Sequence, residues 1–156
     1  MENFKQIDPA EITDNFIRAI GREWMLVTAG NRESCNTMTA SWGLIGFIWG
    51  RPVAQFVIRP QRYTREFVDR EERATLSFFS PEYRAALEYC GSRTGRTEDK
   101  IRNAASSMSE ESGPKGSSIA VAIRNGIPST IITRSILPKS SELTCGSKLS
   151  RDRSRR

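Results

Sequence analysis

The chain has 156 residues, with 24 Lys and Arg against 18 Asp and Glu, enough for one domain with a core and short for two. It has no histidine, which excludes the usual general base, the Ser-His and Cys-His nucleophile systems and most zinc sites. Cys35, Cys90 and Cys145 show no CxxC spacing and read as reduced thiols; with no secretory segment or membrane-length apolar run, a soluble cytoplasmic protein is expected.

Asp8-Pro9-Ala10-Glu11 is a capping box with Pro at the first helical position. Ile12, Phe16, Ile17 and Ile20 follow at helical spacing up to Gly21. Trp24-Met25-Leu26-Val27-Thr28-Ala29 reads as a strand ended by Gly30-Asn31. The next stretch, Cys35-Asn36-Thr37-Met38-Thr39-Ala40-Ser41-Trp42, alternates polar and apolar. As a strand it turns Thr37, Thr39 and Ser41 to one side and Met38, Ala40 and Trp42 to the other. That pattern suits either a solvated edge strand or a platform for a flat ligand.

Gly43-Leu44-Ile45-Gly46-Phe47-Ile48-Trp49-Gly50 has too many glycines for a helix, and Pro52-Val53-Ala54-Gln55-Phe56-Val57-Ile58 is an apolar strand. Thr64 is placed to cap a short helix bearing Phe67 and Val68, followed by the strand Ala74-Thr75-Leu76-Ser77-Phe78-Phe79. Ser80-Pro81-Glu82 opens a helix through Tyr83, Ala86, Leu87 and Cys90; after a polar loop, Thr97 is placed to cap a turn leading to Asp99, Lys100 and Ile101. Short strands with few crossover helices predict a mainly β fold with a few short helices, an antiparallel sheet or barrel.

Three polar clusters stand at the ends of these elements: residues 36–42, 59–64 and 90–100. They supply Arg59, Arg62, Arg93, Arg96 and Lys100 as cations, Thr39, Ser41, Thr64 and Ser92 as hydroxyls, and Trp42 and Tyr63 as rings. Guanidinium groups with hydroxyls and exposed amides suit a phosphate, and the rings suit a planar ligand. A solvated charged loop is the alternative for each cluster taken alone.

Asn36-Thr37-Met38-Thr39-Ala40-Ser41-Trp42-Gly43, Arg59-Pro60-Gln61-Arg62-Tyr63-Thr64, Ser77-Phe78-Phe79 and Cys90-Gly91-Ser92 with Gly95-Arg96 and Asp99-Lys100 resemble, in order and spacing, the flavin reductase-like FMN-binding split-barrel family, in particular its flavoredoxin-like branch. The resemblance covers about residues 3–102. It implies a Greek-key split β-barrel, a homodimer, and FMN near the dimer interface. It also implies that Asn36, Thr37, Met38, Thr39, Ala40, Ser41 and Trp42 run beside the ring. Arg59, Arg62, Tyr63 and Thr64 would secure the ribityl-phosphate side, and Cys90, Ser92, Gly95 and Lys100 the phosphate end. The implied function is an oxidoreductase moving hydride or electrons between NAD(P)H and flavin, the cofactor carrying the chemistry. The alternative is a flavoredoxin-type module that holds FMN and serves a redox protein partner. Cys35 and Cys90 are candidate redox thiols, with an inert buried role preferred for Cys90. No metal, nucleic-acid or membrane partner is expected.

The chain departs from the family after Asn103. All seven Phe, three Trp and three Tyr lie at or before Tyr89, while residues 104–156 hold thirteen serines and 9 Lys and Arg against 4 Asp and Glu. The division is therefore a split-barrel domain over 1–103 and a divergent Ser/Arg-rich tail over 104–156, read as disordered across 104–118. The short apolar runs Ile119-Ala120-Val121-Ala122-Ile123 and Ile131-Ile132 are candidate strands. A reading frame shifted between about Thr97 and Ala105 accounts for all of these changes at once, and predicts an incomplete barrel, with an inactive product as the extreme case.

Overall fold

A computed structural model describes residues 5–108, 117–124 and 131–136, with side chains over residues 7–104. The expected first helix is broken in two. Asp8 caps only the 3-10 turn Pro9–Glu11, its Oδ1 accepting from Ala10 N at 2.8 Å. Asn15 then caps a second start, α1 (Phe16–Arg18), which widens into the π-helical turn Ala19–Glu23. Thr13, Asp14 and Asn15 are residues whose side chains compete for backbone groups, and they interrupt the helical spacing that the apolar residues suggested.

The strands are β1 (Lys5–Gln6), β2 (Met25–Gly30), β3 (Cys35–Ala40), β4 (Gly43–Ile48), β5 (Arg51–Phe56), β6 (Arg73–Phe78), β7 (Ser117–Arg124) and β8 (Ile131–Ile136). Six form one antiparallel sheet in the order β1-β8-β7-β6-β2-β3, and β4 and β5 form a separate hairpin. The mainly β expectation holds. No closed barrel forms among the described residues, because β4 and β5 pair with each other and join neither β3 nor β1. The two apolar runs of the C-terminal third lie within β7 and β8, and β7 pairs along β6 from Arg73↔Arg124 to Phe78↔Ile119.

The helices are α2 (Thr64–Glu71), α3 (Arg84–Ser92, preceded by the 3-10 turn Pro81–Tyr83) and α4 (Lys100–Met108), which continues past the expected boundary at Asn103. Asp99 caps α4 in place of Thr97, its Oδ1 accepting from Arg102 N at 3.0 Å. The basic stretch 147–156 and residues 109–116 lie outside the described residues.

Alternation along β2 and β6 gives the sheet two buried faces. Met25, Val27, Ala29, Leu76 and Phe78 join Met38, Ala40, Ile20 and Phe67 on one face; Leu26 joins Tyr83, Ala86, Leu87, Cys90 and Ala104 on the other. Helix α3 thus lies across one face of β3, and α2 and the hairpin pack on the opposite side. β3 ends the sheet, with no strand on its outer edge among the described residues.

Candidate functional site

The three polar clusters converge around the outer edge of β3. On the α2 side, Asn36 is buried and its Nδ2 donates to Thr64 Oγ1 at 2.8 Å. Thr64 opens α2 but does not cap it; its buried hydroxyl accepts from Asn36 instead. On the α3 side, Thr39 Oγ1 donates to the Leu87 carbonyl. Two contacts cross the edge and join the sides. Arg62 Nη1 donates to the Gly91 carbonyl at 3.0 Å, and Gly95 lies against Asn36, where a Cβ would collide with Asn36 Oδ1. Only glycine lets the loop approach that closely.

The phosphate-end residues sit at the C-terminus of α3. Lys100 is 4 % exposed and its Nζ donates to the Cys90 carbonyl at 3.1 Å. Arg62 and Lys100 therefore bind adjacent carbonyls at the negative end of a helix, where cations are favoured. An ammonium has three donors. Lys100 uses one of them on a described acceptor, and it forms no ion pair among the described residues. Burial lowers its pKa below the usual lysine range; the Cys90 thiol beside it opposes that shift, Arg62 adds to it, and Glu98 opposes it.

Tyr63 packs edge-on to Phe67 with ring centroids 5.0 Å apart, and the Arg96 guanidinium sits over the Tyr63 ring, 4.4 Å from its centroid, while pairing with Glu66. Ser92 is exposed, its Oγ donating to the Tyr89 carbonyl at 3.2 Å. At the far end of β3, Ser41 is half-buried, Trp42 is 59 % exposed, and Arg59 lies 6.0 Å from the Trp42 ring.

Several expectations need correction. The hydroxyl face of β3 is not an open platform, because α3 covers it. Thr37 is buried, its Oγ1 2.9 Å from Thr28 Oγ1, and Thr39 is engaged with α3. Met38 and Ala40 point into the core, so from Thr37 to Ala40 only backbone on the strand's edge is left to meet a ligand. Cys35 is disulfide-bonded, so the reduced state expected of every cysteine does not hold there. Cys90 is a free, buried thiol whose pKa is raised by burial and only partly offset by Lys100, which makes it inert rather than reactive. Sequence inspection missed Glu66, Tyr89, Glu98 and Asn103, which hold the site's cations and loops in place. Nothing in their spacing marks them, since each acts across a helix or loop junction.

A cleft of about 300 Å³ lies between β5 and α2, lined by Ala54, Gln55, Phe56, Ile58, Arg65, Val68 and Asp69. It contains none of the predicted site residues. Its polar wall is an exposed ion pair, Arg65–Asp69 at 3.2 Å, already satisfied without a ligand. The edge of β3 has the stronger chemistry. No cluster of three metal-ligating side chains occurs among the described residues, and no described helix is long and apolar enough to cross a membrane.

No family model matches the chain, and no curated protein matches it. Solved structures do. A flavoredoxin of Desulfovibrio vulgaris (Miyazaki F) is 22 % identical with a TM-score of 0.51, over 76 % of this chain and 69 % of that one. An FMN-binding domain of a flavin reductases-like enzyme from Shewanella baltica is 15 % identical with a TM-score of 0.55, over 88 % and 76 %. An FMN-binding protein from Thermus thermophilus is 16 % identical with a TM-score of 0.51, over 90 % and 80 %. This chain shares their fold.

Proposed function

We propose that the chain holds FMN along the edge of β3 and acts as a flavin reductase-like oxidoreductase, moving hydride or electrons between NAD(P)H and flavin. The carrying observation is Lys100, a buried ammonium with no ion pair among the described residues and with Arg62 close enough to depress its pKa further. A buried cation without an opposite charge is costly, and a phosphate removes that cost. The FMN-binding proteins that share the fold support the choice of ligand.

The residues present fit this group. Lys100 and Arg62 would hold the phosphate with Ser92 and the bare backbone at Gly95. Arg59, Tyr63 and Thr64 would bound the ribityl side. The β3 edge from Asn36 to Trp42 would run beside the ring. FMN, when bound, supplies the hydride and electron chemistry, which a histidine-free chain does not need to provide. The chain's part is to bind, orient and exclude water.

A second copy is the proposed partner. Trp42, Leu44 and Ile48 share the outward face of the hairpin with Val57, and all four are exposed; near the tip Phe47, on the opposite face, is 74 % exposed and Trp49 is 88 % exposed. An antiparallel hairpin normally turns polar residues outward. Arg51 is the one charge between Trp42 and Ile58, so the face selects no charged partner and barely opposes self-association. These side chains offer several hundred Å² of apolar surface, a large part of the roughly 800 Å² per partner of a stable interface. Trp42 makes that face continuous with the proposed flavin site.

The test is the visible spectrum of purified protein after FMN is added and the excess removed. A retained flavin spectrum is expected, with loss in Lys100→Met; a wild-type protein that stays colourless would sink the proposal. NAD(P)H oxidation with free flavin then supports the reductase. Reduction by a protein donor alone would move the assignment to a flavoredoxin-type carrier.

A further inference from the structure

Glu98 is the carboxylate nearest in sequence to Lys100 that acts on it electrostatically, yet the two form no ion pair. The structure shows where that carboxylate goes. The Tyr89 hydroxyl donates to Glu98 Oε2; Asn103 Nδ2 donates to the same oxygen at 3.4 Å and to Tyr89 Oη at 3.1 Å. Asn103 lies one helical turn beyond Lys100 on α4, and Tyr89 directly precedes Cys90, whose carbonyl holds the Lys100 ammonium. The closed triangle therefore joins the residues on both sides of Lys100 to the segment that supplies its acceptor. The Tyr89 backbone is fixed in turn, its carbonyl accepting from Arg93 N at 3.1 Å and from Ser92 Oγ.

We propose that Tyr89 and Asn103 sequester Glu98, so that Lys100 stays without a carboxylate partner and available to a phosphate. The proposal rests on the assignment of Lys100 to the phosphate of FMN. Tyr89, Glu98 and Asn103 are positioning residues; none of them would touch the ligand. Charge-assisted contacts in a desolvated site are strong, so a released Glu98 would compete directly with an incoming anion for Lys100. Removing the Tyr89 hydroxyl should weaken phosphate binding, and neutralising Glu98 in the same chain should restore it. A merely structural hydrogen bond would behave otherwise, since the second change would add to the damage.

The experiment measures FMN and riboflavin affinities by flavin fluorescence for wild type, Tyr89→Phe, Asn103→Ala and Tyr89→Phe/Glu98→Gln. Tyr89→Phe should weaken FMN about tenfold while leaving riboflavin, which lacks the phosphate, unchanged. The double variant should recover most of the FMN affinity. Asn103→Ala, which removes the second grip on Glu98, supplies the same comparison if Tyr89→Phe fails to fold. Equal weakening of both flavins, or no recovery in the double variant, overturns the sequestration. If the wild type binds neither FMN nor inorganic phosphate, the proposed function fails and the sequestration with it. If it binds them and Tyr89→Phe keeps the wild-type FMN-to-riboflavin ratio, only the sequestration fails.

Discussion

The outer edge of β3 and the β4–β5 hairpin are two edges treated in opposite ways. Around β3 the buried polar side chains are matched to protein partners: Asn36 to Thr64, Thr37 to Thr28, Thr39 to Leu87. Lys100, a buried charge, is left without a carboxylate among the described residues. On the hairpin the apolar side chains are what remain unmatched, with Trp42, Leu44, Ile48 and Val57 on one exposed face. A satisfied polar cluster with a buried cation left without a carboxylate selects a small anion. An apolar face with a single nearby charge selects another protein surface. The physical difference lies in which kind of group is left over after folding.

The contrast is broken most sharply at Gly95. In Gly95→Val the side chain would meet Asn36 Oδ1 and Tyr63, displacing the buried Asn36–Thr64 pair. We expect a loss of about 3 kcal/mol in denaturant unfolding together with FMN binding. A fully stable, flavin-binding Gly95→Val would show that the loop does not need this close approach. Thr64→Val leaves Asn36 Nδ2 buried without its acceptor and should cost about 2 kcal/mol, measured the same way.

Lys100 sharpens the comparison through pH. Its folded pKa is lowered, so between that value and the ordinary lysine pKa the unfolded chain binds more protons, and stability should rise with pH across that window. Anion affinity should run the other way, falling as pH climbs through the lowered pKa and the ammonium loses its proton. A phosphate affinity that is flat up to the ordinary lysine range would show that Lys100 is not the anion's partner. The smallest folding effect belongs to the hairpin tip. Trp49→Ser, at an 88 % exposed position, should alter unfolding by less than about 0.5 kcal/mol while shifting sedimentation toward monomer. A melting curve as strongly affected as that of Thr64→Val would mean that Trp49 packs within its own chain.

Much of the framework was legible in the sequence. The stretches of β2, β3 and β6 read as strands, and period-two alternation assigned the faces of β3. Over residues 43–50 the glycines excluded a helix, and it is the structure that puts the hairpin turn at Trp49-Gly50, both residues at positive φ, 52° and 71°. The three clusters were identified as a set, and the fold brings them to one edge. What was not legible concerns partners distant in the chain. Helical spacing from Ile12 to Ile20 did not reveal the interruption by the Asn15 cap. The alternation of Thr37 and Thr39 gave the correct face but not that α3 lies over it, and no spacing rule pointed to Tyr89, Glu98 and Asn103. In the aromatic-poor C-terminal third the runs 119–123 and 131–132 were candidate strands, and they lie in β7 and β8; that β7 extends the sheet along β6 depends on an edge distant in the chain. The coding DNA tests the shifted reading frame directly: a family-like peptide in an alternative frame after about Thr97 supports it, and none in either frame removes it.

By itself the sequence determined the local periods, the turns, the absence of histidine chemistry and the inventory of cations and hydroxyls, since these depend on residues within a few positions of one another. The tertiary structure alone decided which polar groups are consumed by the protein and which is left over. Asn36 meets Thr64, Arg62 meets Gly91, and Glu98 is drawn to Tyr89 instead of Lys100 because packed helices and strands fix their separations across 9 to 29 residues of chain. A side chain's availability is set by those distances and by burial, and neither is written in local order.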